Sequence, residues 1–245
     1  MNTVDTKAYH HGDLRQTLLD AAVEHIAREG TEGLSLRALA REVGVSATAP
    51  YRHFETRQTL LAAIAAEGFS ELGARMVVES ERLDREPAIV FFEMGMIYVD
   101  YARHHGVKYH LMFGDVIGDF SDHADLFEAA QASYQHFEET LQAGIDAGVL
   151  LQIPVRELGA AVWSMVHGVA GMLIAAERRR ATVAPEALRA IAPMATQQLL
   201  LDAPGRALLR MSRGFIIDLD ALDALEQRVG CPEAGQFSAR REASA

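Results

Sequence analysis

Arg37, Arg41, Arg52, His53 and Arg57 fall close together in a stretch that holds only Glu42 and Glu55 against them. Guanidinium groups at that density suit a polyanion, because each planar fork pairs with two oxygens of a phosphate. The whole chain argues the other way at first: it has 23 Lys and Arg, 34 Asp and Glu, and a net charge of −11. The distribution resolves this. Residues 1–57 hold 7 basic against 8 acidic side chains, residues 58–204 hold 10 against 20, and residues 205–245 hold 6 against 6. Exposed charges more than about 10 Å apart are largely screened at ordinary salt, so a local basic face can hold phosphate on an acidic protein.

The elements that must position this cluster follow from caps and spacing. Gly12-Asp13 predicts a helix start, and Leu14, Leu18, Ala21, Ala22, His25 and Ile26 recur at helical intervals up to Glu29, where Gly30 and Gly33 end the pattern. Ser35 then caps a short helix with Leu36, Leu39, Ala40 and Val43 on one face. Gly44 supplies the turn and Val45 plugs the corner. Ser46 caps a second short helix ending near His53, with Tyr51 and Phe54 as its anchors. Short helix, glycine turn and short helix make a helix-turn-helix, whose second helix lies in the major groove with its first turn toward base edges. An αα-corner with no DNA role has the same outline. Here the caps, the small Ala40 at the crossing, the turn and the aromatics all agree on the first reading.

The rest of the chain reads as helix throughout. Thr56 caps a long helix over 57–85, and Pro87 opens one to His105. A short helix over 107–114, a Gly- and Asp-rich loop to 122, and helices over 123–148, 154–180 and 185–201 follow. After Pro204 the pattern weakens to one short helix capped by Asp218 and lined by Leu219, Leu222, Leu225 and Val229, and from Gly230 the composition is that of a disordered tail. The fold class is all-α. The expected domains are 1–56, 57–204 and a C-terminal extension over 205–245. Cys231 is the one cysteine, so no intrachain disulfide forms. No uninterrupted apolar run reaches the 18 or so residues of a membrane span, and residues 1–13 lack the apolar core of a leader, so a cytoplasmic protein with no membrane partner is expected.

Ser35…Leu39-Ala40…Gly44-Val45-Ser46…Tyr51-Arg52-His53-Phe54…Arg57…Leu60 resembles the DNA-binding domain of the TetR family. The opening Tyr9-His10-His11-Gly12-Asp13-Leu14-Arg15 is similar to the start of one branch of that family, and Trp163-Ser-Met-Val-His167-Gly168 to the same branch's C-terminal domain. The resemblance implies a three-helix DNA-binding domain followed by a helical effector-binding and dimerisation domain. It implies a sequence-specific transcriptional regulator, a repressor released from a palindromic operator by a small molecule. Position by position, Ser35, Tyr51, His53 and Arg57 match phosphate contacts, and Arg37 matches a residue that can reach a base edge. Ser46 opens the recognition helix, and Ala47 and Thr48 sit where it meets bases. The methyls of Ala47 and Thr48 suit thymine, and the fork of Arg37 suits guanine O6 and N7. Two positions depart from the pattern. Pro50 stands where an aliphatic residue is usual and forfeits an intrahelical hydrogen bond, and Arg57 replaces a lysine.

The resemblance also implies a homodimer built on the last two long helices, and small residues at Ala160, Ala161, Ser164, Gly168, Ala170 and Gly171 are compatible with close packing. The effector is expected among Phe92, Met96, Tyr101, Tyr109, Met112, Phe113, Trp163 and His167, although aromatics and methionines at helical spacing are more often ordinary core. No cofactor is implied. His104, His105, His110, Asp115 and His123 match no compact metal spacing. Two rival readings are a helical protein-interaction module and an enzyme using the central cavity. The second lacks any paired carboxylates, nucleophile with base, or phosphate loop.

Overall fold

The computed structural model describes residues 14–81, 86–180 and 204–229. The described helices are α1 (Leu14–Glu29), α2 (Leu36–Glu42), α3 (Arg57–Ser80), α4 (Pro87–His104), α5 (Gly106–Phe113), α6 (Ala124–Asp146), α7 (Val155–Arg180), α8 (Pro204–Ser212) and α9 (Leu219–Val229). Short 3-10 turns cover Pro50–Arg52 and Phe120–Asp122. The protein is all-α; among the described residues the nearest thing to a strand is an isolated antiparallel bridge between Leu150 and Ile216. The predicted helix over 185–201 and the tail from Gly230 lie outside the described residues.

The chain forms two compact units, and their limits differ from the expected boundary at residue 56. One unit takes the residues up to Phe69 together with Val107–Ala129, and the other takes Ser70–Gly106 with the described residues from Ala130 onward. The difference has a packing cause. α5 lies in sequence far beyond the helix-turn-helix, yet its Leu111 and Met112 are buried in the same unit. At Gly68 of α3 a Cβ would come 2.6 Å from the Met112 sulfur, so a bare glycine lets α5 cross closely. Phe69 meets Phe113 and Phe120 edge-on at 5.4 and 6.1 Å. α1 contributes Leu18, Leu19 and Ala22, α2 contributes Leu36, Leu39 and Ala40, and α3 contributes Leu60, Leu61 and Ile64 to this core.

Glu67 ties three of these helices together. Its carboxylate takes a hydrogen bond from Gln16 of α1 at 2.9 Å and pairs with Lys108 of α5 at 2.8 Å. Burial pushes its pKa up, but the hydrogen bonds from Lys108 and Gln16 and the lysine's charge outweigh that, and the group is held below its ordinary value.

In the second unit α4 is buried along most of its length and packs on α7 through Val162, Val166, Val169 and Leu173. Arg103 and Glu177 join the two helices at 2.6 Å. The C-terminal extension belongs to this unit. Leu208 of α8 lies over Gly95 of α4, with its Cδ2 3.0 Å from where a Cβ would stand. The segment after α8 is clasped by Leu151 N–H donating to Phe215 O at 3.0 Å and Ile217 N–H donating to Val149 O at 2.8 Å. Asp218 caps α9 by accepting from the amides of Asp220 and Ala221, as its type predicts. Ala221, Leu222 and Leu225 are buried there, whereas Leu219, expected on that apolar face, is 72% exposed.

α7 reaches a mean hydropathy of 1.6 over Val155–Arg179, long and apolar enough to cross a bilayer by composition alone, and its window is 39% buried. Isolated polar residues such as Ser164 and His167 interrupt the run, so a search for unbroken apolar stretches passes it by.

Glu67→Gln is expected to lower the melting temperature at neutral pH and to leave a shallower loss of stability in acid. The sign follows from the depressed pKa: the native carboxylate stabilises the fold above the ordinary value of 4.5, and that contribution is lost as pH falls below it. Thermal melts of both proteins across that range check this; parallel profiles would remove Glu67 from the account.

Candidate nucleic-acid interface

Ser35 caps α2 as expected, with extended backbone (φ −144°, ψ 149°) and its hydroxyl accepting from Ala38 N–H at 3.2 Å. At the other end Val45 N–H donates to Ala40 O at 2.9 Å, and Gly44 N–H to Arg41 O at 3.3 Å. This closure needs Gly44 at φ +74°. Nothing lies within 4 Å of the space its Cβ would fill, so the glycine is required by its dihedral and not by crowding.

The segment after the turn is not the α-helix expected from Ser46 to His53. Ala49 N–H donates to Ser46 O at 3.0 Å, Arg52 N–H to Ala49 O at 3.2 Å, and His53 N–H to Pro50 O at 3.0 Å, so the chain forms a turn and one 3-10 turn. Pro50 is the physical reason. It has no N–H to give to the Ser46 carbonyl, so the first α-type rung cannot form and a three-residue closure takes its place. The Ser46 hydroxyl sits 3.3 Å from that of Thr48. Tyr51 is also not an anchor: it is 45% exposed, and the buried residues here are Pro50 and Phe54.

What remains at the surface is the predicted set other than Arg57. Ser35, Arg37, Ser46, Ala47, Thr48, Tyr51 and His53 are all exposed, as are Arg41 and Arg52. Of the two opposing acids, Glu55 is exposed and Glu42 is engaged on α1. Glu42 takes His25 Nδ1 at 2.9 Å and lies 3.7 Å from Arg28, both on α1. Among the described residues Arg37, Arg41 and Arg52 have no carboxylate partner, which leaves their charge available. Arg15, to which sequence reasoning gave no role, places its guanidinium 5.5 Å over the Phe54 ring. The cue was its place in the Tyr9–Arg15 opening.

Arg57 points inward. Its Nη2 donates to the Thr31 carbonyl at 2.6 Å, and its Nε is buried without a partner among the described residues.

The expected effector residues do not gather in one unit. Tyr109, Met112 and Phe113 belong to the first unit, where Met112 fills the bare flank of Gly68. Phe92, Met96, Tyr101, Trp163 and His167 belong to the second. Tyr101 is fully buried, with its hydroxyl donating to Glu71 at 2.9 Å, its ring stacked on His105 at 4.5 Å, and the Arg75 guanidinium 5.2 Å above. The Tyr98 hydroxyl lies 2.9 Å from His167 Nδ1, and the Trp163 ring lies 5.0 Å from the same imidazole. Burial pushes the His167 pKa down, so the ring is neutral near pH 7.

Comparison with known proteins decides the lineage. Residues 18–64 match the family model for bacterial regulatory proteins of the tetR family, and residues 91–192 match the tetracyclin repressor-like C-terminal domain. The chain belongs to the TetR family. Its first unit contains the N-terminal match, and the second match ends before α8, so the extension lies beyond both TetR models. The HTH-type nicotine-responsive transcriptional repressor of Paenarthrobacter nicotinovorans is 42% identical over 60 residues, 24% of this chain and 31% of that one. This TetR protein therefore matches less than a third of that relative's length. A protein of unknown function from Rhodococcus sp. RHA1 shares the fold with a TM-score of 0.65 and 28% identity, over 86% of this chain and 99% of the other. FadR of Bacillus subtilis, solved with stearoyl-CoA, shares it with a TM-score of 0.58 and 14% identity, over 77% and 96%.

Two outcomes are expected. Gly44→Ala costs about 1–2 kcal/mol, the penalty of a left-handed alanine, and denaturant titration reads it. His167→Gln flattens the dependence of melting temperature on pH between about 7 and 5. The lowered pKa favours the neutral ring in the fold, so that stability is present above the ordinary 6.5 and is lost as pH falls below it. An unchanged slope would mean that His167 does not carry it.

Proposed function

We propose that this chain is a sequence-specific DNA-binding repressor that acts as a homodimer and is released by a small amphipathic effector. The observation that carries the reading is the solvent-facing set Ser46, Ala47, Thr48, Tyr51 and His53, beside Arg37, Arg41 and Arg52, which have no carboxylate partner among the described residues. Ser35, Tyr51 and His53 hold phosphates and set the register. Arg37, Ser46, Ala47 and Thr48 face bases, where each good bidentate pair discriminates by about 1–3 kcal/mol.

A dimer along α7 accounts for that helix's composition. One face is occupied by α4, while Ala160, Ser164, Gly168 and Met172 lie exposed on the other, and among the described residues nothing fills the space beside Gly168 or Gly171. A helix apolar all round is buried all round, and a second α7 would bury this one's outer face. Ala170, expected in the same set, is fully buried on the inner face. The dimer sets two reading edges about 34–36 Å apart, one turn of duplex. The neutral Tyr98–His167 pair among apolar side chains suits the polar end of an amphipathic effector. α3, with Arg57–Phe69 in one unit and Ser70–Ser80 in the other, is the continuous element that couples effector to DNA, at a typical 1–3 kcal/mol.

A mobility-shift assay with the DNA upstream of its own gene against random duplex of equal length tests the reading. Preferential retardation of the former is expected; equal retardation, or none, contradicts it. Arg37→Ala and Thr48→Ala are expected to change which sequence is preferred. Gly168→Trp is expected to give a monomer by sedimentation, and an intact dimer would place the interface elsewhere. Long-chain acyl-CoA and free fatty acids are the first effector probes. Binding that raises the melting temperature but leaves DNA affinity unmoved would remove the regulatory role.

A further inference from the structure

We propose that Arg57 is a positioning residue that braces the reading edge from behind and does not itself hold a phosphate. The inference rests on the DNA-binding reading above. Arg57 is the first residue of α3, after a Thr56 cap that accepts from Thr59 N–H at 3.1 Å. A cation there opposes the positive end of the helix dipole, so its presence calls for a compensating contact. That contact is the Thr31 carbonyl, 2.6 Å from Nη2. The same carbonyl accepts Leu34 N–H at 3.3 Å, so two donors close the turn between α1 and α2 on one oxygen. With Nε also buried, much of the fork is directed into the protein instead of toward solvent.

The turn that Arg57 holds leads directly into the DNA-facing residues. Leu34 is buried, Ser35 caps α2, and Arg37 lies in its first turn. Fixing Thr31 therefore fixes where α2 begins and where Ser35 and Arg37 stand. The next residue of α3 works in the same way: Gln58 Nε2 donates to Val116 O at 3.1 Å. The start of α3 thus grips two loops of its own unit, and a shift of α3 carries the reading edge with it.

The test uses full-length protein and a duplex that the wild type selects from a random pool, with random duplex as reference, across a salt series. For Arg57→Gln the brace is expected to lower the preference for the selected duplex at least about fivefold while leaving the salt slope unchanged. A phosphate contact would instead lower the slope by about 0.9 for each arginine lost, or about 1.8 for a dimer, at unchanged preference. That result overturns the proposal, as does a variant with neither change. Should Arg57→Gln fail to fold, the wild-type guanidinium NMR signal of Arg57, identified by its loss in Arg57→Lys, serves alone. Its position is expected to hold when the selected duplex is added, and a large shift overturns the brace. Wild-type protein that selects no duplex at low salt would defeat the functional reading itself, and this inference with it.

Discussion

At Gly44 the backbone leaves α2 with a positive φ that an L side chain adopts only at a cost, and the edge proposed to read DNA begins two residues later. The direction in which Ser46, Ala47 and Thr48 face depends on that one dihedral. Four residues make it hold. Ser35 fixes the start of α2, Val45 N–H closes its end on Ala40 O, and Pro50 and Phe54 sink the far side of the segment into the core. Between those anchors the chain is short and has little freedom, so its polar atoms stay at the surface. Charge follows the same geometry. Glu42 is drawn onto α1 by His25 and Arg28, and among the described residues Arg37, Arg41 and Arg52 of the outer face have no carboxylate partner on a protein that is acidic overall.

The second unit shows a different solution to a composition problem. α7 is apolar enough to pass for a membrane span, yet a membrane is not needed to explain it. Its inner face is matched by α4, fastened by Arg103 and Glu177, and its outer face exposes small residues such as Ala160, Ser164 and Gly168 together with Trp163 and Met172. The C-terminal extension adds a further layer on α4, through Leu208 over Gly95 and the edge-on pair of Phe91 and Phe215 at 6.1 Å. α4 is therefore held from two sides, and the Tyr98–His167 pair lies one turn from the place where α8 bears on it.

Much of this was legible in the residues because local chemistry decided it. Ser35, Gly44, Asp218 and Pro87 mark boundaries by what their side chains or rings permit, and the structure honours each. The errors arose where one residue overrode a pattern or where partners lay far apart in sequence. Pro50 turns an expected α-helix into a 3-10 turn by removing one N–H. Tyr51 looked like an anchor because it is aromatic, but its burial depended on the path that Pro50 imposes. α8 went unseen because its apolar face, Leu208 and Leu209, is only two residues deep in a polar segment. The inward turn of Arg57 could not be read at all, since its acceptor is a backbone carbonyl 26 positions earlier. The grouping of α5 with the helix-turn-helix was equally hidden, because it rests on the absence of a side chain at Gly68.

The central claim is that the exposed edge from Ser46 to His53 enters the major groove, twice, on one face of a duplex. Chemical footprinting of the bound duplex tests this most directly. The account requires protection of guanine N7, a major-groove atom, in two patches about one helical turn apart, with backbone protection flanking each. Protection confined to adenine N3 in the minor groove, or a single patch with no symmetric mate, would contradict it.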